Sequence, residues 1–129
     1  MSENTDTLYT IEYDNVTNCG FQIFHCLGFF HEHQRPDRDQ YIQIDMDKIH
    51  PYNRPQFEIM DKKFLNLTLS EYDTRSITHY DSTVNGLFPD SIMKKKDGSI
   101  IEVNKKMSDI DIQTLNKMYP CQQSCVHNL

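Results

Sequence analysis

The 129-residue sequence predicts a loop-rich α+β fold with two helices and little strand. Two stretches carry apolar residues at helical spacing, about residues 19–27 and about residues 108–119. The roughly 80 residues between them are predicted to be mostly loop, and residues 70–92 contain Ser, Asp, Asn, Gly and Pro throughout, a composition typical of loops and turns. Because a small domain rarely contains so long a loop-rich connection, the sequence predicts one part of a larger domain.

The first predicted helix is expected to begin after Asn18, a good N-cap residue, and to end before Gly28. Glycine readily adopts the left-handed backbone conformation that closes many helices, so Gly28 is predicted to be the residue just past the helix end. The apolar face of this helix consists of Phe21, Ile23, Phe24 and Leu27.

The second predicted helix begins at Ser108, and Asp111 three residues later completes a variant of the capping box. Pro120 ends it, because proline cannot continue the helical hydrogen-bond pattern. Its expected apolar stripe is Ile112, Leu115 and Tyr119.

Between the helices the sequence predicts only short regular elements. The Asp97-Gly98 turn is expected to lead into a strand over Ser99–Val103. Residues 41–46 fit a strand or a loop equally well, and one helical turn is expected to begin at Pro55. Residues 70–92 are predicted to be loop throughout.

Composition and charge exclude several classes of function. Lys and Arg total 13, whereas Asp and Glu total 19, so the formal net charge is −6. This acidic balance argues against nucleic-acid binding and against a basic membrane tether. No apolar run approaches the roughly 18 residues that a membrane span requires. Arg35 and Arg38, with the aspartates beside them, are predicted to form a surface ion-pair network with a scaffold role.

Residues 1–17 are polar and poorly patterned and resemble neither a signal peptide nor a transit peptide. The predicted organisation is an N-terminal segment at 1–17, a folded region at 18–121 and a tail at 122–129. Sequons at Asn15 and Asn66 matter only in a secreted chain, and the compartment stays open. Three disulfide pairings are possible among the four cysteines, Cys19, Cys26, Cys121 and Cys125.

Two histidines form the pattern that carries chemistry. His25 lies near the end of the first predicted helix, and His31 lies six residues further on, with Gly28 midway. A glycine turn lets the backbone reverse sharply enough for both imidazoles to reach one metal ion. The spacing matches the second half of the zinc motif H-E-x-x-H-x-x-G-x-x-H.

The string from Gly28 to Asp39, G-F-F-H-E-H-Q-R-P-D-R-D, closely resembles the astacin family of metzincin zinc endopeptidases. Residues 76–80, S-I-T-H-Y, are similar to that family's Met-turn, and residues 108–121 to its last helix and final cysteine. The resemblance covers about residues 20–121 and implies the loop-rich C-terminal subdomain of a metzincin fold. The N-terminal half of the family's catalytic domain has no counterpart in this sequence.

The resemblance implies a function and a set of site residues. The family hydrolyses peptide bonds in protein or peptide substrates with the aid of zinc, and its members are secreted. His25 and His31 match two of the zinc-binding histidines, and Tyr80 matches a tyrosine that is a supplementary zinc ligand in the resting enzyme. Glu32 matches the glutamate that meets the mature N-terminus, and Glu32 is expected to lack that partner.

Three departures from the family pattern predict an impaired site. Phe21 replaces the first zinc histidine, Gln22 the catalytic glutamate and Thr78 the methionine of the Met-turn. Losing one ligand is expected to weaken zinc binding by on the order of 3 kcal/mol, which leaves it weak or vestigial. Gln22 cannot accept a proton, so general-base catalysis, worth about 10²–10⁴-fold in rate, is expected to be lost. His33, a conceivable substitute ligand, is expected to face elsewhere.

Several interpretations of this pattern stay open. In the first, the chain is an impaired zinc endopeptidase homologue, a non-catalytic pseudoprotease or gene fragment that, if folded, acts by binding proteins. Alternatively, it is an active zinc endopeptidase whose site has been rebuilt around His25, His31 and Tyr80. A third interpretation is a truncated or misjoined gene model of an active enzyme. The oligomeric state is open under all three.

Overall fold

The structure is a computed structural model that describes residues 22–64, 70–84 and 91–120. The chain divides into two units, Met1–Phe30 and His31–Leu129. The described residues contain two α-helices, two short strands and five 3₁₀-helical turns, joined by irregular loops. This arrangement confirms the predicted loop-rich α+β fold. The predicted domain boundaries near residues 17 and 122 lie outside the described residues.

In the N-terminal unit, residues 22–26 form a helix, here called α1. It ends in a Schellman motif, in which Phe29 N–H donates to the Phe24 carbonyl and Gly28 N–H to the His25 carbonyl, both at 3.0 Å. Gly28 has a φ of 90°, which confirms the predicted left-handed position. The rings of Phe24 and Phe29 meet edge to face with centroids 4.6 Å apart, and this contact packs the turn against the helix. The expected start at Asn18 lies outside the described residues.

In the C-terminal unit, 3₁₀-helical turns alternate with loops. Their bounds are Glu32–Gln34, Arg38–Gln40, Met46–Lys48, Pro51–Phe57 and Lys62–Phe64. The helical turn expected to begin at Pro55 is part of the longest of these, which begins four residues earlier at Pro51. Asn53 N–H donates to the His50 carbonyl at 2.8 Å, so the helical hydrogen bonding is already established before Pro55.

The two strands, β1 (Ile42–Ile44) and β2 (Met93–Lys95), pair antiparallel with Ile42 opposite Lys95. Along each strand a fully buried residue is followed by an exposed one, the alternation expected when one face of a sheet meets the core. The segment that fitted strand or loop is therefore strand over its central three residues.

The strand predicted over Ser99–Val103 is wrong, because the strand lies before the Asp97-Gly98 turn and not after it. Ser82 occupies the backbone groups of Ile101 instead. Its N–H donates to the Ile101 carbonyl at 2.9 Å, and its hydroxyl accepts from the Ile101 N–H at 2.7 Å. Ile101 thus enters the core without joining a ladder.

The core of the C-terminal unit lies beneath the two-stranded sheet. Its buried members are Ile42, Ile49, Phe57, Tyr72, Ile92, Met93 and Ile101. Tyr80 is half-buried against this cluster. The core therefore positions one of the predicted site residues.

The second helix, α2, spans Asp109–Met118 with Ser108 as its N-cap, which confirms the prediction. Ser108 Oγ accepts from the Asp111 N–H, and an Asp111 carboxylate oxygen accepts from the Ser108 N–H, both at 3.0 Å. The expected apolar stripe is wrong, since Ile112 and Tyr119 are 41% and 53% exposed while Asp111 is buried. Ser76 and Ile77 donate hydrogen bonds to the Asp111 carboxylate, and these bonds select the inward face of the helix.

Candidate zinc and catalytic site

His25 is oriented by the turn that closes α1. Its Nδ1 lies 2.7 Å from the carbonyl oxygen of Phe29. Because a carbonyl only accepts, Nδ1 carries the hydrogen, and the lone pair of the neutral ring lies on Nε2. Metal-binding histidines are commonly held by such a bond from the opposite ring nitrogen. The Schellman turn therefore gives His25 the tautomer that a metal ligand requires.

Gln22 lies three residues before His25 on α1, and its side chain is exposed. A carboxamide can accept and donate hydrogen bonds, but it has no carboxylate to take up a proton. Phe21, the residue at the first predicted zinc position, lies outside the described residues.

Three rings of the C-terminal unit form a cluster that consists of the predicted ligand His31, His33 and Tyr80. The His31 and Tyr80 rings meet edge to face with centroids 4.7 Å apart. Tyr80 also stacks on His33, with centroids 4.2 Å apart and an angle of 25° between the rings. The structure thus brings together two predicted site residues, His31 and Tyr80. His25 belongs to the other unit, so its convergence with His31 on one ion stays a prediction.

His33 is the buried member of this cluster and packs against Tyr80. Its side chain is fully buried, and Nε2 donates to the Gln56 carbonyl at 3.0 Å. Burial lowers the pKa of His33 to about 3, so the ring is neutral at physiological pH. Nε2 of His33 is occupied by its hydrogen bond to the Gln56 backbone, and one face of the ring packs against Tyr80.

The turn at residues 76–80 is held by hydrogen bonds to α2. Thr78 is 1% exposed, and its hydroxyl lies 2.9 Å from the hydroxyl of Ser76. Ser76 Oγ donates to Asp111 at 2.7 Å, and the Ile77 N–H donates to the same carboxylate at 2.9 Å. The buried hydroxyl at the position of the family's methionine therefore has a polar partner, as burial of such a group requires.

Tyr72 and His79 hold the same turn from its other end. His79 Nδ1 donates to the Tyr80 carbonyl at 2.7 Å, and Tyr72 lies 2.8 Å from His79 Nε2. Burial lowers the pKa of His79 to about 4 and raises the pKa of Tyr72 above its ordinary value. Both groups are therefore neutral at physiological pH, and the backbone of Tyr80 is tied to the core.

Arg35 joins the loop after His31 to the segment at residues 70–73. It donates two bonds to Asp37, at 3.0 and 2.9 Å, one to Glu32 at 3.0 Å and one to the Glu71 carbonyl at 3.1 Å. Arg35 and Arg38 are 5% and 8% exposed, whereas the Asp39 side chain paired with Arg38 is 68% exposed, so the arginines of the predicted surface network are buried and Asp39 remains at the surface. Carbonyl acceptors on neighbouring loops make this burial possible.

Glu32 has partners within the described residues other than a chain terminus. Its carboxylate accepts from Arg35 and, at 2.9 Å, from the Asp73 N–H. Burial raises the pKa of Glu32 to about 7, and the opposing influence of Arg35 does not cancel it. Glu32 thus holds two segments together next to His31.

The described part of the chain also bears on cysteine pairing, on other metal sites and on membrane spans. Cys26 is an exposed free thiol, whereas Cys19, Cys121 and Cys125 lie outside the described residues. Within residues 22–64, 70–84 and 91–120, no set of three or more His, Cys, Asp or Glu side chains is arranged to hold a metal ion. The same residues include no helix of the length and apolarity that a membrane crossing needs.

The sequence does not reveal which residues support the cluster. The capping box revealed the local role of Asp111 but not its bonds to Ser76 and Ile77, which lie more than 30 residues away. No sequence signal pointed to the Tyr72–His79 hydrogen bond, because tyrosine and histidine occur in many structural settings.

Comparison with known proteins identifies the family. The model for the astacin family of peptidases matches residues 10–120. The zinc metalloproteinases nas-6 and nas-5 of Caenorhabditis elegans are 36% and 31% identical over 78% and 98% of this chain. The solved structure of high choriolytic enzyme 1, a hatching enzyme zinc-protease from the medaka fish Oryzias latipes, superposes with a TM-score of 0.74 at 28% identity.

The chain belongs to the astacin family. It spans 30% and 35% of the two nematode proteins, and 53% of the hatching enzyme chain against 82% of its own length. The family match begins at residue 10, earlier than the resemblance noted in the sequence, and so takes in part of the poorly patterned N-terminal segment.

Proposed function

We propose that this chain is a zinc endopeptidase homologue with impaired catalysis, and that its zinc binding is weak. The observation that carries the proposal is Gln22, an exposed carboxamide three residues before His25 where the family pattern has a catalytic glutamate. By family membership, the substrates would be proteins or peptides.

The residues that remain would hold zinc through His25 Nε2, His31 and the hydroxyl of Tyr80. Imidazole nitrogens are preferred zinc ligands, and the hydrogen bond from His25 Nδ1 to Phe29 leaves Nε2 with its lone pair. The ring contact between His31 and Tyr80 supports a shared role. Phe21 has no lone pair to offer, which reduces the histidine ligands from three to two.

Zinc, when bound in such a site, polarises the scissile carbonyl and lowers the pKa of its water. Gln22 can orient that water through its amide group but cannot take its proton. The missing general base is expected to lower the rate by about 10²–10⁴-fold. The weaker metal site lowers the active fraction further.

Calorimetric titration of the purified chain with zinc tests the metal site. We expect weak binding that His25→Ala abolishes and that Phe21→His tightens about a hundredfold, because it restores the third histidine. His50→Ala is the matched control, since His50 is an exposed histidine outside the cluster, and it should leave binding unchanged. Tight binding by the unmodified chain that gains nothing from Phe21→His would overturn weak binding in favour of a rebuilt site.

Hydrolysis of quenched fluorescent peptides, with and without a chelator, tests the catalytic half of the proposal. The unmodified chain is expected to show no chelator-sensitive cleavage above background. Robust cleavage that both the chelator and His25→Ala abolish would show that the chain is an active endopeptidase. Zinc binding without cleavage, combined with capture of a specific protein ligand, would favour a binding role.

A further inference from the structure

The turn beneath Tyr80 contains two buried hydroxyl groups whose hydrogen atoms have to be accounted for. Ser76 and Thr78 are 2% and 1% exposed, so neither hydroxyl is satisfied by bulk water. Each hydroxyl has one hydrogen to donate and lone pairs to accept. An unsatisfied buried hydroxyl is costly, so the direction of each bond matters to the fold.

The carboxylate of Asp111 fixes the direction of both bonds. A carboxylate only accepts, so the single hydrogen of Ser76 Oγ is given to Asp111 Oδ1 across 2.7 Å. Ser76 Oγ then has only lone pairs left for Thr78, which lies 2.9 Å away. The Thr78 hydroxyl must therefore be the donor. The bonds run one way, from Thr78 to Ser76 to Asp111.

Backbone groups connect this chain of bonds to the loop that carries His31. Asp111 Oδ2 accepts from the Ile77 N–H at 2.9 Å, and Ser76 Oγ accepts from the Thr78 N–H at 3.1 Å. The Thr78 carbonyl in turn accepts from the Glu32 N–H at 3.3 Å. Glu32 directly follows His31, so an acceptor on α2 is linked through the turn to the predicted ligand.

We propose that Asp111 and Thr78 are positioning residues that together hold the loop carrying His31, through hydrogen bonds that run in this one direction. Threonine at position 78 makes the turn depend on a hydrogen-bond acceptor at position 111. The role of these hydrogen bonds in zinc binding rests on the proposed function. The experiment that tests the bonds uses no metal, so the positioning role and the proposed function can fail separately.

The first arm of the test is a double-mutant cycle on the unfolding of the full chain. Asp111→Asn keeps an oxygen for the Ile77 and Ser108 amides and turns its amide group towards Ser76, which reverses the bond and leaves the Thr78 hydrogen without an acceptor. We expect it to lower the folding equilibrium constant at least tenfold. Ser76→Ala also removes the acceptor of the Thr78 hydrogen. In a Thr78→Val background, where that hydrogen no longer exists, the loss caused by Ser76→Ala should be at least fivefold smaller.

The matched control is Asp109→Asn, which removes an exposed carboxylate from the same first turn of α2. It should change the folding constant less than twofold in either background. If Asp111→Asn does not fold, the cycle of Ser76→Ala and Thr78→Val still measures the bond that Thr78 donates to Ser76. Effects of the two substitutions that simply multiply, within twofold, would overturn the proposal.

The second arm separates positioning from general stability by amide hydrogen exchange. The Glu32 N–H depends on the Thr78 carbonyl, whereas the Asp45 N–H bonds to the Ile92 carbonyl at 2.8 Å in the sheet region. Asp111→Asn should accelerate exchange at Glu32 at least tenfold more than at Asp45, and Asp109→Asn should accelerate neither. Equal acceleration at both amides would reduce Asp111 to a general stabiliser and overturn its positioning role.

Discussion

The phenol of Tyr72 donates its hydrogen to Nε2 of His79 across 2.8 Å. This direction is required because Nδ1 of His79 already donates to the Tyr80 carbonyl, which leaves Nε2 of the neutral ring as the acceptor. The Tyr72 ring itself lies parallel to Tyr41, with centroids 4.6 Å apart. The backbone of Tyr80 is therefore fixed by a buried pair of side chains that take no part in the predicted zinc ligation.

Tyr72→Phe tests this link. The substitution keeps the stacked ring but leaves Nε2 of His79 buried without a donor, which should cost about 1–3 kcal/mol of unfolding free energy. Denaturant unfolding measures the loss. Tyr41→Phe is the control, because it preserves the same stack and removes a hydroxyl from a residue that is 41% exposed. It should cost less than about 0.5 kcal/mol, and equal losses for the two variants would contradict the assignment.

Two buried histidines should make the fold sensitive to acid. The pKa of His33 is lowered to about 3 and that of His79 to about 4, from an ordinary value of 6.5. Below pH 6.5 the unfolded chain therefore binds two protons that the folded chain binds only when the pH approaches 4 and 3. Their contribution to stability is complete above pH 6.5 and is lost as the pH falls towards 4 and then 3, at up to about 1.4 kcal/mol per pH unit for each histidine.

Glu32 acts in the opposite direction over part of the same range. Its pKa is raised from 4.5 to about 7, so the folded chain holds a proton that the unfolded chain releases, and stability falls as the pH rises from 4.5 to 7. Removing this group with Glu32→Gln should steepen the gain in stability with pH by about 1 kcal/mol per unit. Glu58→Gln, at an exposed site, should leave the slope unchanged. An unaltered slope in Glu32→Gln would contradict the raised pKa.

Arg35→Lys should destabilise the loop that follows His31. Lysine keeps the charge but cannot reproduce the paired bonds to Asp37 together with those to Glu32 and the Glu71 carbonyl. We expect a loss of about 2 kcal/mol in unfolding free energy. Arg75→Lys is the comparison, since the Arg75 side chain is 75% exposed and its nearest carboxylate oxygen lies 3.9 Å away. A loss no larger than that of Arg75→Lys would show that the buried bonds contribute little.

Gly28→Ala should loosen the end of α1. At a φ of 90° a side chain is strained by about 1–2 kcal/mol, and asparagine tolerates this region better than alanine. The Phe29 N–H, which closes the Schellman motif, should exchange about 5–30-fold faster in Gly28→Ala. Gly28→Asn should show a smaller acceleration. The same rank order is expected for loss of zinc binding, because the Phe29 carbonyl orients His25.

The features that the sequence predicts well are those whose signals are local. Ser108 and Asp111 are three residues apart and define the start of α2, and the left-handed conformation of Gly28 follows from its place after an apolar helical run. Short motifs likewise carry the predicted site residues His25, His31 and Tyr80. Among these three predicted site residues, the structure shows a contact between His31 and Tyr80, which belong to the same unit.

The features that the sequence predicts poorly depend on distant partners. Arg35 is buried because residues 70 and 71, about 35 positions away, supply oxygen atoms to its guanidinium group. The inward face of α2 is selected by polar bonds to the turn at 76–78, which no count of apolar residues reveals. The strand expected at 99–103 fails for the same reason, because Ser82 claims the backbone of Ile101.

The small sheet has a consequence for how the chain reaches its native state. Each strand has three residues, and pairing Ile42 with Lys95 closes a loop of about 50 residues. Closing such a loop costs about 3.5 kcal/mol in chain entropy. The few hydrogen bonds between two three-residue strands offset this cost only after most of the fold has formed. We therefore expect the turns and α2 to form before the strands meet. Substitutions in the sheet should then accelerate unfolding and leave the folding rate nearly unchanged.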